Sequence, residues 1–74
     1  MLSFLLHAKL RFYRVEVAET LFGDYSVRRE WGPRGRQGRQ RRAGFSNLRD
    51  AVLAADRWRR KAIRRGYHAE KGQG

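Results

Sequence analysis

Between Leu10 and Thr20 the chain alternates. Tyr13, Val15 and Val17 fall on one side at period two, and Arg14 and Glu16 fall on the other. Strict alternation with β-branched and aromatic residues predicts a half-buried strand. Leu21-Phe22-Gly23-Asp24 then supplies a turn, with Gly-Asp suited to positive φ. A second strand follows over Tyr25–Trp31, where Tyr25, Val27 and Trp31 share a face with Arg29. So short a connection predicts an antiparallel pair.

Gly32 to Gly38 is punctuated by three glycines around Pro33, which cannot donate to a ladder, and reads as a loop or wide hairpin. A polar strand is expected from Arg39 to Gly44, with Phe45 as its apolar end. Periodicity then changes. Leu48, Val52, Ala55, Trp58 and Ala62 recur every three or four residues and mark the apolar stripe of a helix. Ser46 or Asn47 can cap it, Asp50 lies where the helix dipole favours a carboxylate, and Gly66 fits the left-handed position past its end. Tyr67 can pack back on the last turn. The fold class expected is α+β: an antiparallel sheet of three to four strands with one amphipathic helix packed across it. Residues 1–9 form either an N-terminal leader or an edge strand, 10–67 the single domain, and 68–74 a flexible tail, with one short β pairing around Tyr67.

Seventy-four residues sit near the lower limit for a core that is stable unaided, and the absence of Cys removes disulfides and thiolate metal sites. The fold must rest on aliphatic and aromatic packing. A cytoplasmic location is expected, at the nucleoid if the source is bacterial. No stretch approaches the apolar length that spans a bilayer, and Met1 to Leu6 lacks the flanks of a secretory signal.

Charge changes the picture most. Eighteen Lys and Arg against seven Asp and Glu leave a formal charge of +11, and Lys occurs only at Lys9, Lys61 and Lys71. The guanidinium fork binds phosphate in bidentate fashion and stacks on aromatic rings, so a polyanion is the expected partner. The densest cluster is Arg28, Arg29, Arg34, Arg36, Arg39, Arg41 and Arg42, offset by Glu30 alone. Gly35 and Gly38 within it would let backbone N–H groups approach phosphate. Trp31 is either a contact residue, a core aromatic, or both. A second cluster, Arg57, Arg60, Lys61, Arg64 and Arg65, is either a second phosphate-facing surface or a solvated helix face with Asp56–Arg60 pairing. His7 and His68 lie at opposite ends of the sequence, and no spacing suggests a catalytic constellation, a metal site or a cofactor.

Four pieces, in their order and spacing, resemble the WGR domain: Arg11-Phe12-Tyr13, Glu19-Thr20-Leu21-Phe22-Gly23, Arg28-Arg29-Glu30-Trp31-Gly32 and Arg64-Arg65-Gly66-Tyr67. This module occurs in DNA-dependent poly(ADP-ribose) polymerases and in small stand-alone bacterial proteins. The resemblance implies a twisted antiparallel sheet crossed by one helix, binding to DNA at a strand break, and a Trp, here Trp31, against the sugar-phosphate backbone near a strand end. Family members commonly continue Trp-Gly-Arg, one aliphatic residue, Gly. Here Pro33 takes the Arg position and Arg34 the aliphatic one. A one-residue displacement in extended chain points a side chain to the opposite face.

The function expected is a non-enzymatic nucleic-acid-binding module. DNA is favoured over RNA by the resemblance. The candidate contacts are Arg29, Trp31, Arg34, Arg36, Arg39, Arg41 and Arg42 on the hairpin with Arg57, Arg60, Lys61 and Arg64 on the helix. The alternative is a protein-interaction module whose Arg-rich edge docks an acidic partner. A membrane partner is not expected.

Overall fold

The computed structural model describes residues 2–69. In chain order the elements are β1 (Leu2–Ala8), β2 (Arg11–Glu19), β3 (Tyr25–Pro33), β4 (Arg39–Phe45), α1 (Leu48–Arg64) and β5 (His68–Ala69). The strands form one antiparallel sheet in the order β4-β3-β2-β1-β5. The architecture is α+β, with five strands where three to four were expected.

The additional strands come from the two ends of the chain. β1 pairs with β2 from Leu2 opposite Val17 to Ala8 opposite Arg11. It lies between β2 and β5 rather than at the rim, because His68 and Ala69 return to pair with His7 and Leu6. These two residues open the segment expected to be tail; the rest of that segment, like Met1, lies outside the described residues. The alternation that marked β2 is legible in β1 only afterwards: Leu2, Phe4 and Leu6 face the core, while Leu5 on the other face masks the period.

Register places Val15, Val17 and Val27 side by side on one face of the sheet, and all three are wholly buried. Leu6 is equally enclosed. Each such side chain contributes about 1.5–3 kcal/mol relative to exposure. The β2–β3 turn is held by Thr20 N–H donating to the Asp24 carbonyl at 2.9 Å, with Gly23 at φ +85°.

α1 lies across β2, β3 and β4. Asn47 caps it: its side-chain oxygen accepts from the Asp50 N–H at 2.8 Å. At the other end Gly66, at φ +100°, reverses the chain. Gly66 N–H donates to the Ile63 carbonyl at 3.0 Å and Tyr67 N–H to the Ala62 carbonyl at 3.1 Å, the paired bonds of a Schellman cap. Tyr67 then packs on Ala62 and Leu6.

The buried stripe differs from the one expected. It consists of Ala51, Ala54, Ala55 and Ala62, with Trp58 partly buried; Val52 is half-buried and Leu48 is 40% exposed. The sheet face beneath already carries branched side chains, so alanines allow close approach of the helix. Large residues collect at the margins.

Candidate nucleic-acid interface

The end of the β2–β3 ladder nearest the helix C-terminus gathers aromatic rings and cations on the helix side of the sheet. Tyr13 and Trp31 are cross-strand partners, with rings stacked at 6.1 Å and 24°. Tyr67, delivered by the helix cap, meets Tyr13 edge-on at 5.7 Å. Arg11 Nε donates to the Tyr67 hydroxyl at 3.2 Å, which joins the first residue of β2 to the chain's return. Together with Arg29 and Arg65 these residues line a recess of about 330 Å³. A second hollow of about 460 Å³ shares Arg11 and Trp31 with it and continues along Gly32, Pro33, Gln37, Gly38 and Arg39.

Arg29 is the unusual member. Its guanidinium lies 4.1 Å from the centroid of Trp58 and 5.9 Å from that of Trp31. Its cross-strand neighbours are Val15 and Arg41. Its Nε is buried with no hydrogen-bond partner, and among the described residues no carboxylate pairs with it. Cation–π contact returns about 1–2 kcal/mol of the cost of desolvating a cation, so the site remains short of negative charge.

The hairpin is shaped by two glycines. A Cβ on Gly32 would lie 2.9 Å from Gly38 Cα, and one on Gly38 would lie 2.3 Å from the Trp31 carbonyl oxygen and 3.0 Å from the Phe12 ring. Only glycine lets the outgoing and returning chains cross this closely. Arg34 N–H donates to the Leu10 carbonyl at 2.8 Å, tying this loop to the β1–β2 turn.

The WGR domain family model matches residues 4–74, nearly the whole chain. The chain belongs to the WGR domain family. No curated protein and no solved structure matches it.

In this WGR domain the residue displacement at Pro33 has a visible result. Pro33 sits opposite Arg11 on the helix side, whereas Arg34 and Arg36 line a separate hollow on the open face with Leu5, His7, Phe12, Arg14 and Glu30. Arg34 is therefore remote from the aromatic recess. The cation beside Pro33 comes from Arg11 on the neighbouring strand.

The remaining candidates divide among three surfaces. Arg39 is the cross-strand partner of Trp31, and Arg41 that of Arg29, so both belong to the recess side. Arg42 pairs with Arg28 and lies on the open face, in a hollow with Glu16, Ala18 and Ser26. Arg28 forms an ion pair with Glu16, which holds the Arg28 pKa above its already high ordinary value. Glu30 bonds Arg14 at 3.2 Å on the same open face, so it does not offset the recess.

Arg57, Arg60 and Arg64 share a further hollow with Leu53 and Asp56 on the helix, and Lys61 is exposed outside it. Asp56 accepts from Arg59 and Arg60, each at 2.6 Å, so the expected Asp56–Arg60 pair is present and is shared. The Arg59 hydrogen bond, then the Arg60 charge, keeps the Asp56 carboxyl below the ordinary aspartate range.

Three recess residues were not among the candidates, Arg11, Tyr13 and Tyr67, and Arg65 was expected only as the end of the helix cluster. The signal was the pair of family motif pieces at the two ends of the domain, which register and the helix cap bring together. His7 and His68, distant in sequence, are cross-strand neighbours. Among the described residues no group of three or more His, Cys, Asp or Glu could hold a metal ion.

Proposed function

We propose that this WGR domain is a non-enzymatic nucleic-acid-binding module, for DNA above RNA, that takes backbone phosphate at the aromatic recess. The observation that carries the reading is Arg29: a cation set against two indoles with no counter-ion among the described residues, beside Arg11 and Arg65. A phosphate oxyanion supplies the missing charge, and the neighbouring arginines present fork geometry to it. Trp31, packed on Tyr13 on one side and lining both hollows on the other, lies against sugar near a strand end. Membership of the WGR family supports the preference for DNA and for ends, and a location in the cytoplasm, or at the nucleoid in a bacterium, is part of the same proposal.

Titration of labelled duplex at two salt concentrations tests this. Log K should fall with log salt by about 0.9 per phosphate engaged. Trp31→Ala should weaken binding to nicked or ended duplex more than to closed circles. Absence of binding at low salt, or tight binding indifferent to salt, would refute the proposal.

One observation favours a second reading. β4 is an edge strand, and Arg39, Arg41 and Arg42 flank its unpaired backbone, which suits addition of an acidic extended segment from a partner protein. Partners that remain after nuclease treatment would support it. A membrane role has less to draw on, because Leu2, Phe4 and Leu6 are packed into the core.

A further inference from the structure

At the opposite end of the β2–β3 ladder from the recess, the hairpin tip has the reverse character. Leu21 and Phe22 project side by side, fully exposed and 92% exposed respectively. They are not on a loose loop. Besides the Thr20–Asp24 backbone bond, Gly23 N–H donates to the Thr20 carbonyl at 3.3 Å, Phe22 N–H donates to Thr20 Oγ1 at 3.2 Å, and Thr20 Oγ1 bonds the Asp24 carboxylate. From Val15 to Val27 there is no Lys, Arg or His, and Glu16, Glu19 and Asp24 provide three of the chain's seven carboxylates. Glu16 is taken by Arg28, which leaves Glu19 and Asp24 flanking Leu21 and Phe22 in the chain. A preordered apolar knob with an acidic collar therefore stands on a chain of charge +11.

The collar excludes two occupants. Phosphate of a nucleic acid and anionic lipid headgroups both meet like charge there. What suits the knob is an aromatic hollow with a basic rim, and the recess of Tyr13, Trp31 and Tyr67, rimmed by Arg11 and Arg65, is one. At about 330 Å³ it has room for a phenyl ring. The knob cannot enter its own recess, since the two ends of the ladder are about 25 Å apart at strand rise.

We infer that the Leu21–Phe22 tip of one copy docks into the Arg11/Trp31/Tyr67 recess of a second copy, head to tail. Phe22 stacks among the rings while Glu19 and Asp24 face Arg11 and Arg65. Such an interface is heterologous and leaves a free tip and a free recess at the ends, so association is open-ended rather than dimeric. The overall positive charge opposes it at low salt. Near physiological salt, where the Debye length is about 8 Å, the distant repulsion is screened and the local contacts remain. Nucleic acid competes for the same recess, so occupancy by phosphate disperses the assembly.

Sedimentation equilibrium of the full chain without nucleic acid, at about 0.15 M salt, tests it. Mass should rise with concentration past twice the monomer. Phe22→Ser, at a position too exposed to affect folding, should weaken association tenfold or more, and Arg65→Glu should do the same with helical circular dichroism retained. Mixing these two variants should yield one-to-one heterodimers and nothing larger, because only one competent tip and one competent recess are present. Adding an excess of a short duplex to the wild-type chain should replace the concentration-dependent assembly with complexes of one chain per duplex.

A chain monomeric at all concentrations, association unchanged in Phe22→Ser, or association unchanged in Arg65→Glu would overturn the inference. So would loss of duplex binding, or of binding to anionic vesicles, on Phe22→Ser, since either gives the tip another occupant. A monomeric chain that still binds duplex would overturn this inference and leave the nucleic-acid reading standing.

Discussion

The Arg29 guanidinium carbon lies 4.1 Å from the centre of the Trp58 ring, so a strand cation and a helix indole form the contact that closes the core at its basic end. The helix stripe passes from alanine to tryptophan at that point, and the sheet passes from valine to arginine. The hydrophobic interior thus ends in a charged wall rather than in solvent.

Replacing Arg29 by Met separates stability from binding. A half-buried cation whose Nε has no partner among the described residues contributes little net stability, so Arg29→Met should leave the unfolding free energy from urea titration within about 1 kcal/mol of wild type or above it. Duplex affinity should fall about tenfold, with the salt slope reduced by about 0.9. Equal loss of stability and affinity would assign Arg29 to the core alone.

The glycines give an internal control. Gly38→Ala puts a methyl into the Trp31 carbonyl and should destabilise the domain by about 2 kcal/mol or more, whereas Gly44, also in this hairpin, has open space around it and should accept Ala at a cost under about 1 kcal/mol. Paired denaturant titrations decide between local crowding and a general intolerance of the hairpin.

Pro33 and Arg34 lie on opposite faces, so their substitutions should diverge. Pro33→Arg restores a cation opposite Arg11 and a backbone donor, and is expected to tighten duplex binding severalfold. Arg34→Gln, on the open face, should change affinity less than Arg11→Gln. Fluorescence anisotropy at one fixed salt concentration compares all three.

Asp56 links acid stability to charge on the helix. Its folded-state pKa is depressed by Arg59 and Arg60, so its stabilising contribution is present above the unfolded aspartate pKa and is lost as pH falls through the folded value. Asp56→Asn should flatten that part of the acid limb of thermal unfolding. The same change releases Arg60, so duplex binding at neutral pH should strengthen; weakening would show that the ion pair orients the helix surface.

The β2–β3 hairpin was legible because Val15, Val17 and Val27 alternate with charge, and the helix because its caps and period agree. Its buried face was not legible in detail: periodicity favoured Val52 and Leu48, while the sheet accepted alanines. β1 was obscured by apolar side chains on both faces, and β5 is too short to carry any period. The basic hairpin pointed to this part of the sheet, but which arginines share a face depends on register across β3 and β4, and that divided Arg39 and Arg41 from Arg42. Arg11 and Arg65 come from opposite ends of the domain, and only the fold brings them to Trp31.

The bond from Arg11 to Tyr67 spans 56 positions of the chain. The recess has one wall from the start of β2 and another from beyond the helix, so no partial chain possesses it. Contacts this distant in sequence form slowly and late. A nascent chain will display its basic hairpin on the ribosome well before it owns a complete recess, so grip on a ligand is acquired only after the helix cap has closed.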